Sequence, residues 1–376
     1  MNPELLILFV DSMPFALLPR TEWMRQAPEA WSIRPGFGYS VNIHAEMFAG
    51  LLPDDVGYFG EWTYDPPRSP GWRYRRLLPL LDALFRPYLL NRGLQTLLTR
   101  NYHPGTIVPN IPLRHLDKFA LTGRHLLDDP TAFPHPSIFT TYEALTFLPI
   151  PALPKGERDK AVFEEVMRRL RAGEATLFAP FPDLDGFGHR YGIEAAPYLD
   201  YLRRLDAWLG AIIERFTAEH PRGHLFIVSD HGMVTVKEGV SLALEREIGP
   251  SSSATYVAFS DANLLRVWVM DERLRAPIAA YLRAFAGGRL VTEVERREYG
   301  ITDPRFGDFI FVLEEGLAFE PSTFARHKPK GMHGYHPEAP GQQAVCLHWG
   351  PAWQGAPLRR MRDLYRMFVQ VLEGRW

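Results

Sequence analysis

With 376 residues, 46% of them apolar, the chain can bury a large core without covalent staples, either as one α/β domain or as one carrying a sizeable insertion. Its 42 basic and 44 acidic residues leave a formal charge of −2, which excludes the basic excess that a nucleic-acid polymer demands and points to a small-molecule ligand. The one cysteine, Cys346, lies in an apolar run and excludes both a disulfide framework and a cysteine-based zinc site, a composition suited to a reducing compartment.

Residues 5–10 (LLILFV) are a short continuous apolar run ending at Asp11, the pattern of a parallel strand buried on both faces. The residues before it lack a positive n-region and a small-residue cleavage site, and no uncharged apolar stretch nears the ~18 residues needed to span a bilayer. The expectation is a cytoplasmic protein with no membrane partner. Residues 58–160 differ from the rest in their density of Trp, Tyr, Phe and Pro and read as an inserted cap, in which His103, His115 and His125 look like scattered loop residues. Residues 162–172 and 198–219 have the 3.6-residue apolar period of amphipathic helices. Apolar runs at 175–181, 224–229 and 309–313 resemble the first strand and alternate with helical patterns, so the predicted fold is α/β, a mostly parallel sheet sandwiched by helices. A second, smaller α/β excursion is expected over 240–297.

In such sheets ligands bind beyond the carboxyl ends of the strands, and polar residues collect at those ends here. Asp230-His231-Gly232-Met233 follows the run at 224–229 directly, pairing a carboxylate with an imidazole, a donor set suited to zinc or manganese. An Asp-His pair there can equally be a turn cap beside a hydrogen-bonded imidazole. Asp185-Gly186-Phe187-Gly188-His189 offers a second pair, with Asp183 as a rival for the carboxylate. Gly331-Met332-His333-Gly334 adds a third imidazole between glycines, and Asp11 a third strand-end acid. Each is ambiguous alone. Together they supply two sets of carboxylates and imidazoles, which is what a two-metal clamp needs.

The order of these elements, from Asp11 through Ala49-Gly50-Leu51-Leu52-Pro53-Asp54-Asp55-Val56-Gly57 to Asp185, His189, Asp230, His231 and His333, resembles the alkaline phosphatase superfamily, in its type I phosphodiesterase/nucleotide pyrophosphatase branch. The resemblance implies that Asp185, His189 and His333 hold one divalent ion and Asp11, Asp230 and His231 another, usually zinc, with manganese as the alternative. It implies a metal-dependent hydrolase of phosphate mono- or diesters. Two other outcomes fit the same ligands: a metal-binding scaffold without turnover, and a phosphotransferase or mutase acting on a sugar or lipid head group.

The resemblance breaks at the nucleophile. Counting four residues back from Gly50, where the branch is expected to place its Thr or Ser, gives Glu46. Glu46 is then expected to act as a carboxylate nucleophile, as a base or bridging group holding a water, or to mark a site that has lost its chemistry. Ser40 and His44 are nearby substitutes, though the spacing of Ser40 does not fit this count. Asn42 and His44 are the expected phosphoryl contacts.

Overall fold

Residues 5–10 become β1 (Leu5–Val10), in which every side chain is buried, as a strand covered on both faces requires. The computed structural model describes residues 4–85, 88–99, 111–122, 125–323 and 325–375; His103 lies outside them. Around β1 assembles a six-stranded sheet of β2 (Glu29–Ile33), β3 (Thr146–Phe147), β4 (Leu177–Phe181), β5 (His224–Val228) and a late strand at Ala344–Trp349. β4 and β5 flank β1 in parallel, β3 pairs parallel with β4, and the Ala344–Trp349 strand runs antiparallel between β5 and β2. The sheet is therefore mostly parallel. The run holding Cys346, read from sequence only as apolar, is one of its strands.

The period-two alternation of the strands sends their side chains to two helical layers. Leu6, Leu8 and Val10 pack with Leu177, Ala179, Leu225 and Ile227 against the helices Arg158–Arg171 and Ala196–Glu219. On the other face Phe9 and Phe178 meet Phe48 of α1 (Ser40–Ala49), and Phe226 meets Phe368 of the helix Met361–Leu372. Phe48 and Phe368 stack on each other with ring centroids 6.0 Å apart.

The chain divides into two units. The sheet, its helices and the segments Met1–Leu52, Arg124–Thr235 and Lys330–Trp376 make the first; Pro53–Gly123 and Val236–Pro329 make the second. Residues 125–160 of the expected insertion thus fold with the first unit, while the 240–297 excursion belongs to the second. The second unit is built on a four-stranded antiparallel sheet ordered Tyr256–Ser260, Leu264–Val269, Phe309–Leu313, Gly288–Leu290. The apolar run at 309–313, expected beside β1, sits in this sheet instead, because a short buried run does not encode which sheet completes it. His115, expected in a loop, is buried in the second unit with Nε2 2.9 Å from Ser251 Oγ, and burial lowers it to about pKa 4.

Candidate metal centre

The carboxyl ends of β1, β4 and β5 deliver the acids. After Val10 the Asp11 amide donates to Phe181 O at 3.1 Å, keeping Asp11 in line with β4. Ser12 then turns the chain at φ +66°, the single non-glycine residue with positive φ among the described residues, a conformation costing on the order of 1 kcal/mol or more. The turn is held from β5's end. Ser12 N donates to Asp230 Oδ1 at 3.2 Å, Met13 N donates to Ser229 Oγ at 2.8 Å, and the His231 amide donates to the same Asp230 oxygen at 3.0 Å. Asp230 is fully buried, with one oxygen used in the backbone and the other, Oδ2, facing the imidazoles.

The imidazoles are oriented by carbonyls. His189 Nδ1 lies 2.9 Å from Gly331 O, and His231 Nδ1 lies 2.9 Å from Gly232 O. A carbonyl only accepts, so each Nδ1 carries the proton and each Nε2 presents a lone pair, the arrangement a ligating histidine adopts. The two glycines allow close backbone approach: a Cβ on Gly232 would meet Gly341 O at 2.1 Å, and one on Gly331 would meet Gly188 O at 2.4 Å. Here glycine is dictated by space rather than by turn conformation. His333 stacks on His231 with centroids 3.7 Å apart and planes 5° from parallel.

Two groups of donors result. The ligand atoms of Asp185, His189 and His333 lie within 4.8 Å of one another, as do those of Asp11, Asp185 and His231. Asp185 Oδ1 is 3.3 Å from His189 Nε2 and 3.7 Å from His333 Nε2; His231 Nε2 is 3.8 Å from Asp11 Oδ1 and 3.2 Å from Asp230 Oδ2. Asp185 therefore stands between the groups, where the sequence reading gave it to one ion. The second group closes on Asp185 as well as on His231, with Asp230 adjoining through His231.

The charge balance favours cations. Asp11 Oδ1, Asp185 Oδ1 and Asp230 Oδ2 are buried oxygens that accept no hydrogen bond. Burial, reinforced by the charges of Asp230 and Asp185, pushes the Asp11 carboxyl well above the ordinary carboxylate range. Burial also opposes the ionised forms of Asp185 and Asp230, but the imidazoles, His189 for the first and His231 for the second, hold both below that range. Unpaired carboxylates converging in a desolvated space are costly unless a cation joins them, so this donor set fits divalent ions.

The rival acid has another task. Asp183 is fully buried, its Oδ1 taking Arg158 Nε at 2.7 Å and Nη2 at 2.6 Å while its Oδ2 accepts the amides of Arg158 and Asp159. In return Asp159 Oδ1 accepts the Asp183 amide at 3.0 Å, and Tyr201 donates to Asp159 Oδ2 at 2.9 Å. Asp183 thus ties the start of the helix Asp183–Tyr191 to the start of Arg158–Arg171. That helix then places Asp185 and His189, four residues apart, on one face.

α1 holds Ser40, His44 and Glu46 in different surroundings. Its stripe of Ser40, His44 and Phe48 faces the sheet: Phe48 and His44 both lie against Phe9, and Ser40, at the helix start, reaches the donors with Oγ 2.9 Å from His231 Nε2. With the proton of His231 on Nδ1, the Ser40 hydroxyl is the donor in this contact. Glu46 is about 160° around the helix from His44. Its carboxylate packs against Gly36, where an added Cβ would come within 2.4 Å of Oε2, and Arg362, Arg34 and Arg360 are its nearest opposite charges. Burial outweighs them and pushes Glu46 up to about 7. Among the described residues it shares no ion pair or hydrogen bond with the donors, which corrects the expectation built on its spacing.

The soft contacts change too. Asn42 Oδ1 accepts the Tyr39 amide and its Nδ2 donates to Phe37 O, each at 3.0 Å, so its polar atoms fix the helix start rather than meet a phosphate. His44 Nε2 lies 3.2 Å from Asp230 Oδ2 and acts on that carboxylate. The signal that would have found Ser40 is local. Gly36-Phe37-Gly38, a glycine-flanked turn, precedes a serine whose fourth and eighth following residues, His44 and Phe48, continue one helical face, and reading 40–49 as a helix separates Ser40 from Glu46.

Comparison with known proteins agrees with this geometry. Residues 154–336 match the family model described as type I phosphodiesterase / nucleotide pyrophosphatase. No curated protein sequence matches. Human ectonucleotide pyrophosphatase/phosphodiesterase 5 shares the fold at TM-score 0.66 and 14% identity, and the murine protein at 0.63 and 15%; an inactive variant of the murine protein in complex with AMP gives 0.65 and 15%. Each alignment covers 99% of this chain and 95% of the other. The chain thus shares the fold of these ectonucleotide pyrophosphatase/phosphodiesterases, and residues 154–336 resemble the type I phosphodiesterase / nucleotide pyrophosphatase family.

Proposed function

We propose that this chain hydrolyses phosphodiesters of the nucleotide type with Ser40, not Glu46, as the attacking group. The observation that carries this reading is Ser40 Oγ at the start of α1, 2.9 Å from Nε2 of His231, a member of the second donor group. Asp185, His189 and His333 would hold one divalent ion, zinc or manganese, and Asp11, Asp230 and His231 the other, with Asp185 adjoining both. Bound there, such ions supply Lewis acidity toward the phosphate oxygens and lower the pKa of an adjacent hydroxyl.

The remaining work falls to the chain itself. Ser40 gives up its hydroxyl proton to water and forms the Oγ–P bond as the ester oxygen leaves with its electron pair and takes up a proton from water; a second water then adds to phosphorus, its proton returns to Ser40 Oγ as the Oγ–P bond breaks, and the phosphate monoester is released. The N-terminal end of a ten-residue helix favours the phosphate's negative charge at the point of attack. His44, lodged between Phe9 and Asp230, keeps the Asp230 carboxylate ionised and aimed at His231. A nucleotide substrate is favoured by the family and by the AMP complex of the murine neighbour.

The test is turnover of a chromogenic nucleotide diester by zinc- or manganese-replete protein, alongside Ser40→Ala. Loss of at least about a thousandfold in kcat with metal content unchanged supports the reading. An inert wild type indicates a metal-binding scaffold, and an active Ser40→Ala removes the serine from the chemistry.

A further inference from the structure

Apolar exposure in this chain is concentrated. Among the described residues eleven large apolar side chains are exposed, and eight of them fall between Trp72 and Leu97 in the second unit. A helix facing water normally turns polar residues outward. Leu78–Leu84 does not. Its Leu78 packs with Leu113 and Leu116, with Leu81 and Phe85 laid against them, while Leu77, Leu80 and Leu84 form a second stripe that is 56%, 58% and 64% exposed. The helix Tyr88–Thr99 repeats the pattern: Leu94 and Leu98 pack on the same cluster, whereas Leu89, Leu90 and Leu97 are exposed, Leu89 to 78%. Apolar exposure concentrated in this way on two helices that share one buried cluster marks a place where something other than water is met.

Charge identifies the occupant. Between Asp65 and Asp117 the sequence holds eight arginines and one acid, Asp82, although the whole chain has a charge of −2. Asp82 is taken by Arg114 at 2.6 Å. Arg73, Arg75 and Arg76 are exposed at the edge of the leucines, and none of them forms an ion pair among the described residues. The Arg75 guanidinium lies 4.3 Å over the Trp72 ring, and Trp72 and Tyr74 are themselves exposed, the aromatic and basic fringe that suits a lipid headgroup region. A second copy of the chain is disfavoured, because a two-fold contact would set arginines against arginines. Among the described residues no helix is long and apolar enough to cross a membrane.

We propose that residues 72–84 and 89–97 form a peripheral docking surface for an anionic lipid bilayer, with the leucines and Trp72 entering the headgroup–acyl boundary and Arg73, Arg75 and Arg76 meeting lipid phosphates. The sequence expectation of no membrane partner rested on the lack of a spanning apolar stretch and of a polybasic tract, and neither bears on exposed leucines fringed by separate arginines. The surface lies outside the donor groups of the metal centre and stands whether or not Ser40 is the nucleophile.

The experiment is co-sedimentation of the full chain with phosphatidylcholine vesicles with and without phosphatidylglycerol, with light scattering in parallel. Binding is expected to the anionic vesicles and to weaken in salt. Arg73→Gln, Arg75→Gln and Arg76→Gln together should weaken it by on the order of a hundredfold, at about fivefold per basic residue. Leu80→Ser and Leu89→Ser, exposed positions whose change leaves the thermal melt unaltered, should each cost at least about tenfold. Failure to bind anionic vesicles, or binding that survives the leucine changes, overturns the proposal. So does a dimer in solution that the leucine changes dissociate.

Discussion

Glu46→Gln separates the two readings of α1 and has a magnitude set by the structure. Glu46 is 6% exposed, and burial, only partly offset by Arg362, Arg34 and Arg360, raises its carboxyl from 4.5 to about 7. A folded-state pKa above the unfolded value means that the folded protein binds the extra proton. The associated stability is therefore present below about pH 4.5 and is lost as pH rises through 7. A shift of roughly 2.5 units corresponds to about 3 kcal/mol once the group is ionised in both states. Glutamine keeps the shape without the charge, so Glu46→Gln should leave stability near that of wild type at about pH 5 and exceed it by up to about 3 kcal/mol at about pH 8.5. Urea unfolding at the two pH values reads the difference, and diester turnover of the same protein at neutral pH should stay within about twofold of wild type. A stability difference that does not vary with pH would refute the burial argument. A folded Glu46→Gln that loses turnover by orders of magnitude would return the carboxylate to the chemistry.

Three further outcomes follow from the same structure. Asp183→Ala strands the Arg158 guanidinium and leaves Asp159 without its partner across the two helix starts, so equilibrium unfolding should show a loss of about 3–5 kcal/mol; a loss below about 1 kcal/mol would show that the pair is dispensable. Metal-stripped protein titrated with zinc or manganese should gain about 2.7 kcal/mol of stability at a hundredfold excess over Kd, a gain absent in Asp185→Ala, and an equal gain in that variant would place the ions elsewhere. His224, stacked beside His348 with Nδ1 2.9 Å from the partner's Nε2, is held by burial and then by His348 at about pKa 4. Because the unfolded chain takes the proton first, stability is kept above about pH 6.5 and lost as pH falls toward 4, by up to about 3 kcal/mol, and His224→Gln should flatten that acid limb in urea unfolding.

Much was legible in the residues alone. Leu5 to Val10 could only be a strand buried on both faces, residues 198–219 could only satisfy their apolar period as a helix, and the acids and imidazoles at the strand ends named the donors. Local patterns carry these facts, since they depend on which side chains must leave water and at what period. The tertiary structure alone decided the rest. It sent the run at 309–313 to another sheet, gave Asp183 to Arg158 and left Asp185 among the donor groups, because two acids two residues apart point to different sides of a helix. It also set Ser40, and not Glu46, beside His231. Spacing from Gly50 is a distance along the chain, whereas attack requires a position around a helix and against a sheet, and only the folded α1 shows that Ser40 meets His231 while Glu46 turns toward the arginines. Likewise the exposure of the leucines between 77 and 97 is a property of the packed chain, which their place in the sequence does not show.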